Sequence, residues 1–198
     1  DAGEYVAVMG ESGSGKTTLL NILAALDKPT GGSVVLDGKE LSAVGDAALA
    51  AFRRDNLGFV FQDFNLLDTL TVEDNIYLPL VLAGKKYPEM NGRMLPVAGR
   101  LGITDILKKY PYEISGGQKQ RCAVARALIT APKLVLADEP TGALDSKTGR
   151  LVMDIFHRLN KEQGKTIVLI THNNELAAET DRIYTMRDGV LTGGEVRI

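Results

Sequence analysis

Apolar positions along the chain follow two rhythms. Tyr5 to Met9, KLVLADEP and TIVLITH are short continuous runs, with the length and lack of alternation of strands buried on both faces. Between them, TTLLNILAAL, QRCAVARALI and SKTGRLVMDIFHRLNKEQG carry apolar residues at helical spacing, and the last of these closes on Gly164. FVFQ at 59–62 predicts another strand with a polar residue at its end, and SVVLDGKEL at 33–41 predicts two short strands around an Asp-Gly turn. RIYTMRDGVLTGGEVRI predicts an edge hairpin around Asp188-Gly189. Strand and helix in alternation predict an α/β fold, a parallel sheet flanked by helices.

Between about Leu67 and Lys109 the pattern turns helical. TVEDNIYLPLVLAG offers Thr71 as N-cap, with Asp74 where a capping box places Glu or Gln. The following PEMNGRMLPVAGRLGI contains two prolines among its glycines and asparagine, which predicts a broken or short helix.

Length and composition narrow the function. The chain has 198 residues, room for one large domain or a core with a subdomain. A net charge of −2 supplies no global basic field for nucleic-acid phosphates, so no nucleic-acid partner is expected. Cys122 is the only cysteine, which excludes an intrachain disulfide and a cysteine-based metal cluster, and its place among alanines predicts a core position. The longest apolar runs, such as YLPLVLA, are far below the roughly 18 residues of a membrane helix. Work at a membrane would need another chain to span it.

The sharpest motif is GESGSGKT, Gly10, Glu11, Ser12, Gly13, Ser14, Gly15, Lys16 and Thr17, followed by Thr18 and set between a strand and a helix. Its glycines let the backbone fold into a nest of N–H donors around phosphates, Lys16 reaches the β- and γ-phosphates, and Thr17 offers its hydroxyl to Mg²⁺. Asp138 and Glu139 end a buried strand, where such sheets collect ligands; Asp138 suits the Mg²⁺ shell, and Glu139 suits orienting or deprotonating an attacking water. His172 and Gln62 are polar residues at strand ends; a lone histidine there is more often structural than catalytic, and Gln62, well placed for Mg²⁺ or water, is a weak signal by itself. His157 falls on an amphipathic helix and reads as a surface residue.

ISGGQKQR at 114–121 raises a separate question. Ser115 with two glycines opens a helix whose first amides suit an anion, about a hundred residues after a complete phosphate loop. A plain helix cap by Ser115 is the better explanation of this stretch in isolation. The ordered set decides: phosphate loop, Gln62, ISGGQ, Asp-Glu, Leu144-Asp145 and His172 together resemble the ATP-binding subunit of ABC transporters over essentially the whole chain, with Ile114 where leucine is commoner. Within that family the chain resembles the lipoprotein-releasing and macrolide-exporter group, most of all the bacitracin-type antimicrobial-peptide exporters.

The resemblance implies a P-loop NTPase core at 1–66 and 123–198 with a small helical subdomain at about 67–122, using ATP and Mg²⁺. It implies a head-to-tail dimer with a second copy, in which Ser115, Gly116, Gly117 and Gln118 contact the ATP of the partner. Gln62 is implied to link Mg²⁺ and the water to the helical subdomain. Glu139 is implied as the catalytic carboxylate, His172 as the switch histidine, and Ala143-Leu144-Asp145 as the loop crossing between subunits. Thr17, Gln62 and Asp138 would hold the metal. A separate integral membrane permease, on whose cytoplasmic side this subunit sits, would export or confer resistance to a peptide antibiotic or similar amphiphile. The family's N-terminal antiparallel strands, with an aromatic residue that stacks on adenine, are expected to be largely missing, which would weaken nucleotide binding. Other readings stay open at this point: a small-molecule phosphotransferase, a non-transport ABC ATPase, or a regulatory ATP-dependent clamp.

Overall fold

A computed structural model describes residues 1–41, 44–142 and 144–196. In chain order its elements begin with β1 (Tyr5–Met9), α1 (Lys16–Leu23), β2 (Val35–Leu36), β3 (Lys39–Glu40), α2 (Asp46–Asn56) and β4 (Leu57–Val60). Then follow α3 (Val72–Leu82), α4 (Tyr87–Leu101), α5 (Gly116–Leu128), β5 (Leu134–Asp138) and α6 (Ser146–Gln163). The chain continues through β6 (Thr166–Ile170), α7 (Asn174–Ala178), β7 (Arg182–Arg187) and β8 (Val190–Val196).

One sheet runs in the order β4-β5-β6-β1-β7-β8. Its first five strands are parallel, and β8 turns back antiparallel on β7 at the outer edge. β1 is therefore flanked on both sides by strands from the last third of the chain, with Val6 opposite Val168 and Arg182. Alternate residues of the central strands feed opposite cores, the period-2 consequence of a pleated backbone. Val135, Ala137, Ile167 and Leu169 join α3 to α6 on one face. Leu134, Leu136, Val8 and Ile170 pack with Leu20 of α1 on the other. β2 and β3 form the expected separate hairpin, whose Asp37-Gly38 turn has φ of 51° and 74°. The Asp188-Gly189 turn repeats that left-handed geometry, at 47° and 78°.

Two expectations need correction. The strand predicted at 59–62 lies at 57–60, and Gln62 falls in the turn beyond it. Among the described residues β4 is an edge strand that pairs with β5 as far as Val60 with Ala137, whereas β5 pairs with β6 along its whole length and Glu139 N–H extends that bonding to Ile170 O. The broken helix predicted across residues 88–99 is instead a 15-residue helix, α4, with Pro88 in its first turn and Pro96 inside it. Met90, Met94, Ala98 and Leu101 form a buried stripe along it. Burying each large side chain contributes about 1.5–3 kcal/mol, so the stripe outweighs the roughly 3 kcal/mol of one interior proline. Gly102, at φ 60°, ends the helix, and Ile103 N–H closes on Ala98 O.

Caps behave as the sequence predicts. Thr71 and Asp74 form a reciprocal capping box at α3, and Cys122 is fully buried. Burial raises the Cys122 thiol pKa to about 12, so it is an inert core residue. His157 is exposed.

Candidate active site

Parallel strands deliver their following loops to one edge. The order β4, β5, β6, β1 lines up Gln62, the Asp138-Glu139 pair, His172 and the phosphate loop along the carboxyl edge of the sheet. A cleft of about 790 Å³ opens there, lined by residues 9–14 and 185–188 with His172 and Asn174.

The loop at 10–17 is closed from both sides. Gly13 and Gly15 have φ of 82° and 103°, open to glycine without strain. A Cβ on Gly10 would fall 2.3 Å from Met186 O, so the β7 backbone presses directly on the loop. Gly189 N–H, from the hairpin turn, donates to Ser14 O at 3.0 Å. Glu11, Ser12, Thr17 and Thr18 are exposed, whereas Ser14 is buried. Lys16 Nζ folds over the loop and donates to Gly10 O at 2.9 Å, to Glu11 O at 2.6 Å and to Ser14 Oγ at 3.4 Å.

Two polar pairs stand beside it. Thr17 Oγ1 donates to Asp138 Oδ2 at 3.2 Å, and desolvation by burial raises the Asp138 pKa against the lowering effect of that hydrogen bond. A hydroxyl and a carboxylate oxygen together are hard donors of the kind that Mg²⁺ takes beside phosphate oxygens. Glu139 Oε1 lies 2.8 Å from His172 Nδ1, and Glu139 has a left-handed φ of 45°. A non-glycine residue held there costs of order 1–3 kcal/mol, and such strain gathers at functional sites.

Residues 115–118 sit on a different element, at the start of α5. Ser115 Oγ accepts from Gln118 N–H at 3.3 Å, while Gln118 Oε1 accepts from Ser115 N–H at 2.9 Å, a complete capping box at α5. Asp145 caps α6 without that reciprocity, accepting from Thr148 N–H at 3.0 Å and from Thr148 Oγ1 at 2.7 Å. A Cβ on Gly117 would stand 3.2 Å from Thr148 Cγ2, so the two helix starts form one surface. Ser115, Gly116 and Asp145 are exposed on it. Ala143 lies outside the described residues.

Sequence reasoning missed several supports. Gln120 Nε2 donates to Pro140 O at 2.7 Å, tying α5 to the residue after Glu139. Asn75, fully buried in α3, accepts from Leu67 N–H and donates to the carbonyls of Leu67, Leu70 and Thr71. Arg126 of α5 donates to the carbonyls of Phe64 and Asn65. The available signals were an asparagine inside an apolar helix and an arginine among buried alanines.

A phosphate loop between β1 and α1 on a parallel sheet, with a carboxylate pair at the neighbouring strand end, defines a nucleoside triphosphatase of the P-loop class. The chain belongs to the ABC transporter family, whose model matches residues 1–142. It is 54% identical over 187 residues to the uncharacterized ABC transporter ATP-binding protein YvcR of Bacillus subtilis, covering 94% of this chain and 72% of that one. It is 47% identical over 189 residues to the bacitracin export ATP-binding protein BceA of Halalkalibacterium halodurans, covering 96% and 75%. Among solved structures, the dimeric post-hydrolysis state of the ATP-binding cassette MJ0796 bound to ADP and Pi superimposes with a TM-score of 0.93 at 42% identity, covering 99% of this chain and 86% of that one. The chain is thus an ATP-binding, ATP-hydrolysing cassette of the P-loop α/β fold.

Proposed function

We propose that two copies of this chain close head to tail over two ATP molecules and so drive a separate integral membrane permease that exports, or confers resistance to, a peptide antibiotic or similar amphiphile. The observation that carries the reading is the separation of its two anion sites. Lys16 and the pairs Thr17–Asp138 and Glu139–His172 stand just past the carboxyl ends of β1, β5 and β6, while Ser115 to Gln118 cap α5 and meet Thr148 of α6. A site that does not serve the chain's own phosphate loop is free to serve another's.

In this reading residues 10–18 bind the ATP phosphates, and Ser115, Gly116, Gly117 and Gln118 of one copy reach the nucleotide held by the other. Asp145 lies in the loop that crosses between copies. Thr17, Asp138 and Gln62 would hold Mg²⁺, which would neutralise charge on the phosphate oxygens. Glu139 orients the attacking water and takes its proton, with His172 steadying the carboxylate through their 2.8 Å contact. A helical subdomain at about residues 67–122 moves against a core of 1–66 and 123–198, with α5 running across the boundary between them. ATP drives closure because it binds the closed pair more tightly than the open one.

The exporter names of BceA, and of the macrolide export protein MacB of Campylobacter jejuni at 47% identity over 29% of that longer chain, support the cargo class. Among the described residues no helix is long and apolar enough to cross a membrane; in this reading the permease spans it, and the chain sits against the permease on the cytoplasmic face with no nucleic-acid partner. Light scattering of Glu139→Gln tests the dimer: a mass that doubles with Mg-ATP, and no longer does so with Ser115→Arg added, supports the arrangement. A monomer that binds ATP but never doubles argues against it.

A further inference from the structure

The turn after β4 carries Gln62 and then two consecutive non-glycine residues in the left-handed region, Phe64 at φ 61° and Asn65 at φ 48°. Two such residues in succession cost roughly 1–2 kcal/mol each, so something must hold them. The same stretch makes few bonds of its own: Asn65 N–H reaches Asp63 O at 2.6 Å, and Phe64 N–H reaches Phe61 O at a long 3.4 Å. The hold comes from α5. Arg126 is half-buried, and its guanidinium spans both strained residues, Nη2 donating to Phe64 O at 2.7 Å and Nη1 to Asn65 O. Both partners are neutral backbone carbonyls, so the contact works by geometry: a rigid planar fork matched to two adjacent oxygens.

On the far side of the loop, Asn75 bonds Leu67, Leu70 and Thr71 to α3. The segment is thereby fastened at both ends to helices, and only Phe61 to Asp63 bridge from the end of β4 to the Arg126 fork. Gly58 shows how closely the C-terminal end of α5 approaches: a Cβ there would lie 2.5 Å from Ala127 O, the residue next to Arg126.

We propose that Arg126 is a positioning residue for ATP hydrolysis, fixing the turn that carries Gln62 to the helix that Ser115 opens. This rests on the roles proposed above for Gln62 and Ser115. Through the Arg126 fork, a displacement of α5 carries the Gln62 turn with it, so one helix sets both the residue offered to the partner's nucleotide and the residue offered to the chain's own. Lysine cannot replace it, because one ammonium does not reproduce a two-pronged planar contact.

The first test reads the nucleotide-free chain by hydrogen–deuterium exchange. In Arg126→Lys and Arg126→Gln, amides of residues 63–67 are expected to exchange about tenfold faster, with peptides from β5 and β6 unchanged. An unchanged loop, or acceleration spread evenly over the chain, overturns the proposal. The second reads turnover: kcat is expected to fall at least about tenfold with ATP affinity kept within about twofold, because the loss is one of placement. Arg126→Gln should add nothing further to Gln62→Ala, and a fully additive loss overturns the proposal. Absence of hydrolysis by the unaltered chain counts against the ATPase roles assigned to Gln62 and Glu139, and the exchange result stands apart from it.

Discussion

Glu139 and His172 meet through a 2.8 Å contact across the ends of two neighbouring parallel strands, 33 residues apart in the chain. The contact depends on backbone placement at both ends: Glu139 takes its left-handed turn while its N–H stays on Ile170 O, two residues before His172. Glu139→Gln keeps the shape and removes the base. Steady-state ATP hydrolysis is expected to fall about 10²–10⁴-fold with nucleotide affinity nearly unchanged, a split that calorimetric binding beside a phosphate-release assay resolves.

Ser115 has a local role and a proposed distant one, and two substitutions separate them. Ser115→Ala removes the oxygen that accepts from Gln118 N–H and is expected to lower stability by about 1 kcal/mol, measured by denaturant unfolding. Ser115→Arg adds bulk and charge on the exposed helix start, and cross-copy closure is expected to be lost with ATP binding by the single chain intact. Equal loss of ATP binding in both variants would refute that division.

Asp145 gives the α6 cap a defined pH response. The hydroxyl of Thr148, and after it the Thr148 N–H, hold the Asp145 carboxyl below its ordinary 3.8. A carboxylate with a depressed folded pKa contributes stability that is complete above the unfolded value and is lost as pH falls through the folded one. The stability difference between the unaltered chain and Asp145→Asn is therefore expected to be constant from neutral pH down to the ordinary carboxylate range, and to shrink below it. Thermal melts across that range check this, and a difference that grows on acidification contradicts it.

Gly58→Ala probes packing away from the phosphate loop. The new methyl would stand 2.5 Å from Ala127 O and 2.9 Å from a Pro132 ring carbon, so β4 and α5 must part. A cost of about 1–3 kcal/mol is expected, roughly 2–4 °C of melting temperature for each kcal/mol in a chain of this length. ATP affinity measured well below the melt should hardly change.

What was legible in the sequence is what local chemistry decides. The buried strands, the Asp-Gly turns, the Thr71 and Ser115 caps and the glycine spacing of the phosphate loop each declare themselves within about ten residues. α2 did not, because Leu49 and Phe52 are its only buried residues and give too faint a periodic signal. α4 was misjudged because prolines weigh locally, while the stripe from Met90 to Leu101 is rewarded only by distant partners. Arg126 stayed hidden for a similar reason: its carbonyl partners lie 61 and 62 residues earlier, and nothing near Phe64 advertises them. The motifs named the chemistry, and the strand order, which no local pattern encodes, brought Glu139 to His172.

The place of β1 in the sheet also sets a timetable. Both of its neighbours, β6 and β7, are made after residue 165, and the loop that follows it leans on Met186 and Gly189. Domains commonly begin to fold from the N-terminal side during synthesis, yet pairing across such sequence distances has to wait for the distant strand. During synthesis the phosphate loop at 10–17 therefore waits for residues 166–187 before its strand is flanked on both sides, and any cut between them leaves the loop without the sheet that holds it.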